Sequence, residues 1–197
     1  MDISRVAHSS LDLPRAAAAV RELLAALGED PDRDGLRDTP ARAAASYAQL
    51  LAGVTVDPKA QLSSFPEPHA DSVVVLKDIA FASLCEHSLL PFTGVIGVGY
   101  APGGSRQIAS WGGVIRMING YAHRPQVQER LTSQIADAVI ARLDPAGVLV
   151  VVSATHQCVS AVGERQANSR AITTAARGCY AEDSGARAGL LSLLRSS

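Results

Sequence analysis

Two short stretches, Cys85-Glu86-His87-Ser88 and His156-Gln157-Cys158, each set a cysteine two residues from a histidine, and they lie far apart in the chain. No local element can unite them. Only a sheet that lays distant strands side by side brings both to one place. The flanking sequence has that character: residues 72–77 form a β-branched run, and residues 93–101 intersperse Val, Ile, Val and Tyr with glycines. Residues 147–154 are a mostly apolar run that reads as a buried strand leading straight into His156, with residues 169–176 as its antiparallel partner.

Helical signals fill the remainder. Residues 14–27 carry apolar side chains at three- and four-residue spacing and stop at Gly28. Thr39-Pro40 offers an N-cap and a first-turn proline for a second helix over 41–51, closing near Gly53. Residues 54–71, with three prolines, read as a linker. A shorter helix is expected over 111–119. A long one opens at Arg124-Pro125 and runs to about 143, with Val127, Leu131, Ile135 and Val139 as its apolar stripe. A last helix is expected over 186–195. The expected division is a helical region and linker over 1–71, followed by a catalytic domain over 72–197.

Composition narrows the function. The chain has 197 residues, 47% of them hydrophobic, enough for one buried core. Its net charge of −1, with basic residues scattered, provides no field for nucleic acid or anionic lipid. Residues 1–13 show no basic region followed by an apolar stretch, and no window is long enough to span a bilayer, so a soluble cytoplasmic protein is expected. Three cysteines are an odd number for a disulfide framework, leaving Cys85 and Cys158 as reduced thiols.

Taken singly, either cysteine is equally well a buried thiol. The adjoining histidines favour a metal or catalytic cluster, because imidazole titrates near neutral pH and serves as acid or base. A catalytic zinc takes three protein ligands and an open position, and a serine, Ser88, stands where a third ligand would be convenient. Glu129 falls in the first turn of the long helix, where the dipole favours a carboxylate with or without a further role. Gln128-Glu129 would also suit an amide-and-amine edge such as a guanine. Arg42, Arg116, Arg124, Arg165 and Arg170 read by default as solvated surface charges.

Four segments carry a family resemblance: Asp34-Gly-Leu-Arg-Asp-Thr-Pro-Ala-Arg42, Cys85-Glu-His-Ser-Leu-Leu-Pro-Phe92, Arg124-Pro-Gln-Val-Gln-Glu-Arg-Leu-Thr132 and His156-Gln-Cys158. Together they closely resemble GTP cyclohydrolase I, over a span of about 34–180. The resemblance implies an α+β T-fold (tunnelling fold): an antiparallel four-stranded sheet, paired helices on one face, and an N-terminal helical extension. It also implies a homo-oligomer, usually a decamer, with sites between subunits. In that family zinc-bound water attacks C8 of guanine, a histidine transfers protons, formate leaves and a dihydropterin forms. By position, Cys85 and Cys158 match two zinc ligands, and His87 and His156 the proton-transfer histidines, with Ser88 beside them. Glu129 and Gln128 match the guanine and ribose contacts, and the adjacent Val127 is a further substrate-binding candidate. Arg116 matches one arginine of the phosphate site, and Arg42 is a further substrate-binding candidate.

Three places depart from that pattern. The third zinc ligand is Ser88, the serine-lysine pair ahead of Arg116 is Gly112-Gly113, and an arginine past the second zinc cysteine is Val162. A hydroxyl is a poor substitute for imidazole as a zinc ligand. Hydrogen bonds to charged groups contribute roughly 1.5–3 kcal/mol each, so losing two cations removes about 3–6 kcal/mol of triphosphate binding. The Gln128-Glu129 segment is intact. The expectation is therefore ring opening at C8 of GTP or a less phosphorylated guanine compound. Two alternatives stay open: an enzyme of specialised metabolism acting without zinc on another purine or pterin, and a catalytically silent ligand-binding or regulatory homologue.

Overall fold

The computed structural model describes residues 11–162 and 165–195. Most of residues 1–13 lies outside them. Helix α1 (Leu13–Ala26) is capped by the Asp12 carboxylate, which accepts from the Arg15 amide, and has Pro14 in its first turn. It ends at Gly28, whose φ of +87° lets the Glu29 amide reach back to the Leu24 carbonyl. Helix α2 (Thr39–Leu50) begins two residues earlier than expected, with Asp38 rather than Thr39 at the cap position. The two helices pack against each other.

The proline-rich segment read as a linker is structured. A 3₁₀ turn (Ala52–Thr55), a short helix α3 (Pro58–Gln61) capped by Asp57, and strand β1 (Ser64–Pro66) follow in order. Two things fasten it. Leu62 is completely buried, and the half-buried Arg124 guanidinium donates to the carbonyls of Gly53, Val56 and Gly120. Arg124 is thus a bridge rather than a surface charge.

Strand β2 (Val74–Cys85) continues well past the expected run. A register shift between Leu76 and Ile79, with Asp78 at φ 57°, absorbs the charged Lys77-Asp78 pair, after which alternation resumes through Ile79 and Phe81. Strand β3 (Pro91–Ala101) forms a hairpin with it. Strand β4 (Gln107–Ala109) pairs with β1 in a separate small sheet. Helix α4 (Trp111–Ala122) follows, its Ser110 cap accepting from the Gly113 amide at 3.1 Å.

The expected start of the long helix is displaced. Residues before and at a proline favour extended backbone, and β5 (Pro125–Gln126) joins the end of β2 in parallel, opposite Leu84 and Cys85. Helix α5 then runs Gln128–Leu143. Leu131, Ile135 and Val139 are buried on it, whereas Val127, one residue ahead, is exposed. Strand β6 (Gly147–His156) leads into a single turn α6 (Gln157–Ser160). Strand β7 (Ala171–Gly178), the turn α7 (Cys179–Glu182) and helix α8 (Ser184–Arg195) complete the chain.

The main sheet has the order β5-β2-β3-β6-β7, four long antiparallel strands plus the short parallel β5. Phe92, Ile96, Val98 and Tyr100 of β3 and Val148, Val150 and Val152 of β6 form one core with Met117 and Ile118 of α4 and Leu131 and Ile135 of α5. Helix α8 lies on the opposite face. Its Leu190 and Leu194 sit so close over Gly99 and Gly97 that a β-carbon there would be 2.6 and 2.9 Å from them. The architecture is an α+β T-fold, with paired helices on one sheet face as expected. Among the described residues, no helix is long and apolar enough to cross a membrane.

Candidate active site

Register places the two Cys/His stretches together. Phe92 pairs with His156 across β3 and β6, and Cys85 pairs with Gln126 across β2 and β5. The loop between β2 and β3 is tied at both ends: the Cys85 amide donates to the Leu90 carbonyl at 2.9 Å, and the Glu86 amide to the Gln126 carbonyl at 2.9 Å. The end of β6, the β2–β3 loop and the start of α5 therefore meet.

His156 is held on two sides. Its ring stacks on Phe92 with centroids 4.6 Å apart and planes 2° from parallel. Its Nε2 lies 2.8 Å from Gln128 Oε1. The Gln128 amide nitrogen faces the carbonyls of Val152 and Ala171 and the Thr173 hydroxyl at 3.0–3.2 Å, so that end must be the donor and Oε1 the acceptor. His156 Nε2 then carries the proton, and Nδ1 is the basic nitrogen. Burial pushes the His156 pKa below the usual histidine value, and the Glu129 carboxylate raises it in part. His156 is neutral at pH 7.

Gln128 is buried among these partners, while Glu129 beside it is exposed. Thr132 completes the anchorage, donating to the Gln128 carbonyl at 2.7 Å and lying 2.6 Å from the Thr173 hydroxyl.

Cys85 is buried at the end of β2, and Cys158 is half-buried in α6. Burial pushes the Cys85 thiol up. Hydrogen bonds to its sulfur from the His87 amide, the Ser88 hydroxyl, the Ser88 amide and the Cys158 thiol outweigh that and bring it below the ordinary cysteine value. His87 and Ser88 are exposed in the loop.

Zinc requires three protein ligands in a catalytic centre. Here the position of the third ligand is held by Ser88, whose hydroxyl accepts from the Leu90 amide at 3.4 Å. Among the described residues, no group of three His, Cys, Asp or Glu side chains is placed to hold a metal ion. The donor set does not fit the family's zinc.

The arginines lie elsewhere. Arg42 pairs with Asp38 at 2.9 Å on the exposed face of α2. Arg116 lines a surface cleft of about 200 Å³ with Ala52, Gln61 and His123. Gly113 has no room for a side chain: a β-carbon would be 2.7 Å from the Ser63 amide nitrogen and 2.7 Å from Ser110 Oγ. Val162 is exposed.

Sequence reasoning did not single out Phe92, although it closes the Cys85 motif, nor the polar support under the loop. Arg130 donates to the Glu86 carboxylate and, at 2.9 Å, to Gln126 Oε1. Gln126, fully buried, donates in turn to the Tyr121 carbonyl at 2.9 Å and to Gln134 Oε1 at 2.8 Å. The spacing of Gln126, Arg130 and Gln134, one helical turn apart, was the available signal.

Comparison with known proteins agrees with this architecture. The family model for GTP cyclohydrolase I matches residues 16–195. The GTP cyclohydrolase 1 of Mycobacterium ulcerans (strain Agy99) is 50% identical over 185 residues, covering 94% of this chain and 92% of that protein. Its namesakes from Mycolicibacterium vanbaalenii and Mycobacterium tuberculosis (strain ATCC 25177 / H37Ra) are 47% and 48% identical, covering 96% and 93% of this chain and 94% and 91% of theirs. A crystal structure of an apo QueF-like archaeosine synthase overlaps 54% of this chain and 94% of that one at 21% identity and a TM-score of 0.41, a likeness too slight to bear on function. With a matching family model over nearly its whole length and relatives at about half identity, this chain belongs to the GTP cyclohydrolase I family.

Proposed function

We propose that this chain is a hydrolase that opens the imidazole ring of GTP or of a less phosphorylated guanine compound, by attack of water at C8. The observation that carries this reading is the fixed His156 imidazole, neutral and proton-bearing at Nε2, beside the exposed Glu129. His156 Nδ1 takes the proton of the attacking water and returns it to the ring nitrogen that leaves as the C–N bond breaks. Glu129 accepts two N–H groups from the guanine edge. His87, exposed in the Cys85 loop, is the second proton carrier. Relatives named GTP cyclohydrolase 1 support the substrate class.

A lighter phosphate load is supported by Gly113, which the Ser63 backbone bars from carrying a cation, and by the apolar Val162. A homo-oligomer, a decamer as in the family, belongs to the same reading, because β7 ends the sheet with an open edge among the described residues. So does a cytoplasmic location, which suits three unpaired thiols.

A second reading has its own observation. The two-thiol, one-hydroxyl donor set favours an enzyme that acts without zinc on another purine or pterin. One experiment separates the two: purified protein is offered GTP, guanosine and other purines and pterins, with loss of purine absorbance and appearance of pterin fluorescence followed together. Turnover of guanine compounds supports the first reading. Turnover confined to other rings supports the second.

A further inference from the structure

Arg130, in the first turn of α5, binds two separate elements through one guanidinium. Its Nε donates to Gln126 Oε1 at 2.9 Å, and a terminal nitrogen donates to the Glu86 carboxylate and, at 3.4 Å, to the Pro125 carbonyl. We infer that Arg130 is a positioning residue for the reaction: through Glu86 it locks the loop that carries His87 against the helix that carries Gln128 and Glu129. This role rests on the ring-opening reading above, in which His87 and Glu129 serve the same ring.

The geometry supports it at three points. First, the residue immediately before His87 is held twice. The Glu86 amide donates to the Gln126 carbonyl at 2.9 Å while its carboxylate accepts from Arg130. Main chain and side chain are thus both tied to the approach of α5, and His87 inherits that placement. Second, the tie ends on a fixed base. Gln126 is fully buried, and its amide nitrogen is spent on the Tyr121 carbonyl and Gln134 Oε1, which leaves Oε1 for Arg130. A planar guanidinium can reach two acceptors at once, whereas a lysine ammonium acts as a single point charge. Third, the loop is held in a strained turn. Leu89 sits at φ 56°, with its amide closing on the Cys85 carbonyl at 2.8 Å. A non-glycine residue keeps such a backbone only where its surroundings over-determine it, and the Glu86 anchor supplies part of that constraint.

Exposure distinguishes positioning from mere support. The side chains of Arg130 and Glu86 are 43% and 51% exposed, and an exposed ion pair contributes little to folding. Placement of a proton carrier is far more sensitive, since a displacement of about 1 Å costs on the order of a hundredfold in rate. A pair that matters little to the fold can therefore matter greatly to turnover.

The test uses the full chain and three variants, Glu86→Ala, Arg130→Ala and the double variant. Glu86→Ala is the decisive one, because it cuts the side-chain tie and leaves the Gln126–Arg130 bond in place. Steady-state kinetics are measured on the guanine compound that the parent turns over best, together with thermal unfolding and amide hydrogen exchange over residues 85–90. In Glu86→Ala, kcat should fall about 10- to 100-fold with KM changed less than about twofold. Its unfolding midpoint should drop by no more than about 4 °C, and exchange should quicken over residues 85–90 but not along β6. The double variant should be no slower than the worse single one, because both substitutions break the same tie. Unchanged exchange in the loop overturns the proposal, as does a kcat that stays at the parent value or falls only in step with global stability. A parent that turns over no guanine compound is a separate failure, of the proposed activity. The exchange arm needs no substrate and then decides the tie between loop and helix by itself.

Discussion

Gln128 Oε1 lies 2.8 Å from His156 Nε2, and the other end of the same amide is committed to the carbonyls of Val152 and Ala171. One side chain thereby fixes which nitrogen of the imidazole is basic. Gln128→Ala removes that restraint and orphans buried acceptors, at a cost of about 1–3 kcal/mol in stability. It should lower kcat roughly 10- to 100-fold with little change in KM, by analogy with the loss of other groups that orient a histidine. Nitrogen chemical shifts of His156 should show a mixture of tautomers in the variant and one in the parent. An unchanged tautomer would refute the assignment.

His156→Ala removes the proposed proton carrier while leaving Phe92 in place. Turnover should fall about 10²–10⁴-fold, the usual contribution of a positioned acid or base. Steady-state assays on the preferred guanine compound measure it. Undiminished turnover would exclude His156 from the chemistry.

Acidification should destabilise the fold. Burial holds both His156 and His123 below the ordinary histidine value. Below about pH 6.5 the unfolded chain takes up protons at these sites that the folded chain still refuses. Their stabilising contribution is therefore complete above about pH 6.5 and is lost as pH falls through the lowered folded values. Urea midpoints at several pH values across that range should decline toward acid, and His123→Gln should flatten part of the slope. An unaltered slope in that variant would remove His123 from the account.

Neighbouring glycines should respond oppositely. Gly113→Ala drives a methyl group into the Ser63 backbone and the Ser63–Ser110 hydroxyl pair, which are 2.6 Å apart, and should cost about 1–3 kcal/mol. A β-carbon at Gly112 meets only the Arg116 guanidinium at 3.1 Å, the mobile end of a long side chain. Gly112→Ala should stay neutral or gain up to about 1 kcal/mol from helix propensity. Thermal unfolding of the pair is the measurement. Equal behaviour would mean that Ser63 moves away.

Much of the fold was legible in residue pattern. The apolar run before His156 and the stripe Leu131, Ile135, Val139 became β6 and the buried face of α5 because both depend on local periodicity. What escaped depended on distant partners. Asp78 reads as the end of a strand, yet a left-handed residue in a bulge carries β2 seven residues further. Pro125 reads as a first-turn proline, yet the free edge of β2 draws it into a parallel pair. At the site, the spacing singled out the cysteines and histidines but not their contacts. Gln128, read as a ligand contact, has a buried side chain bonded to His156, a relationship set by the β3–β6 register and by the docking of α5.

Arg124 extends that dependence to the far end of the chain. Its guanidinium reaches back to Gly53 and Val56, while its own backbone leads within two residues to Gln126, under the Cys85 loop, and within four to Gln128. The proline-rich segment is therefore an outrigger for the Cys85 loop. A chain shortened past Val56 would lose two of the three carbonyls that steady Arg124, and the damage would surface at His156, among residues that were never removed.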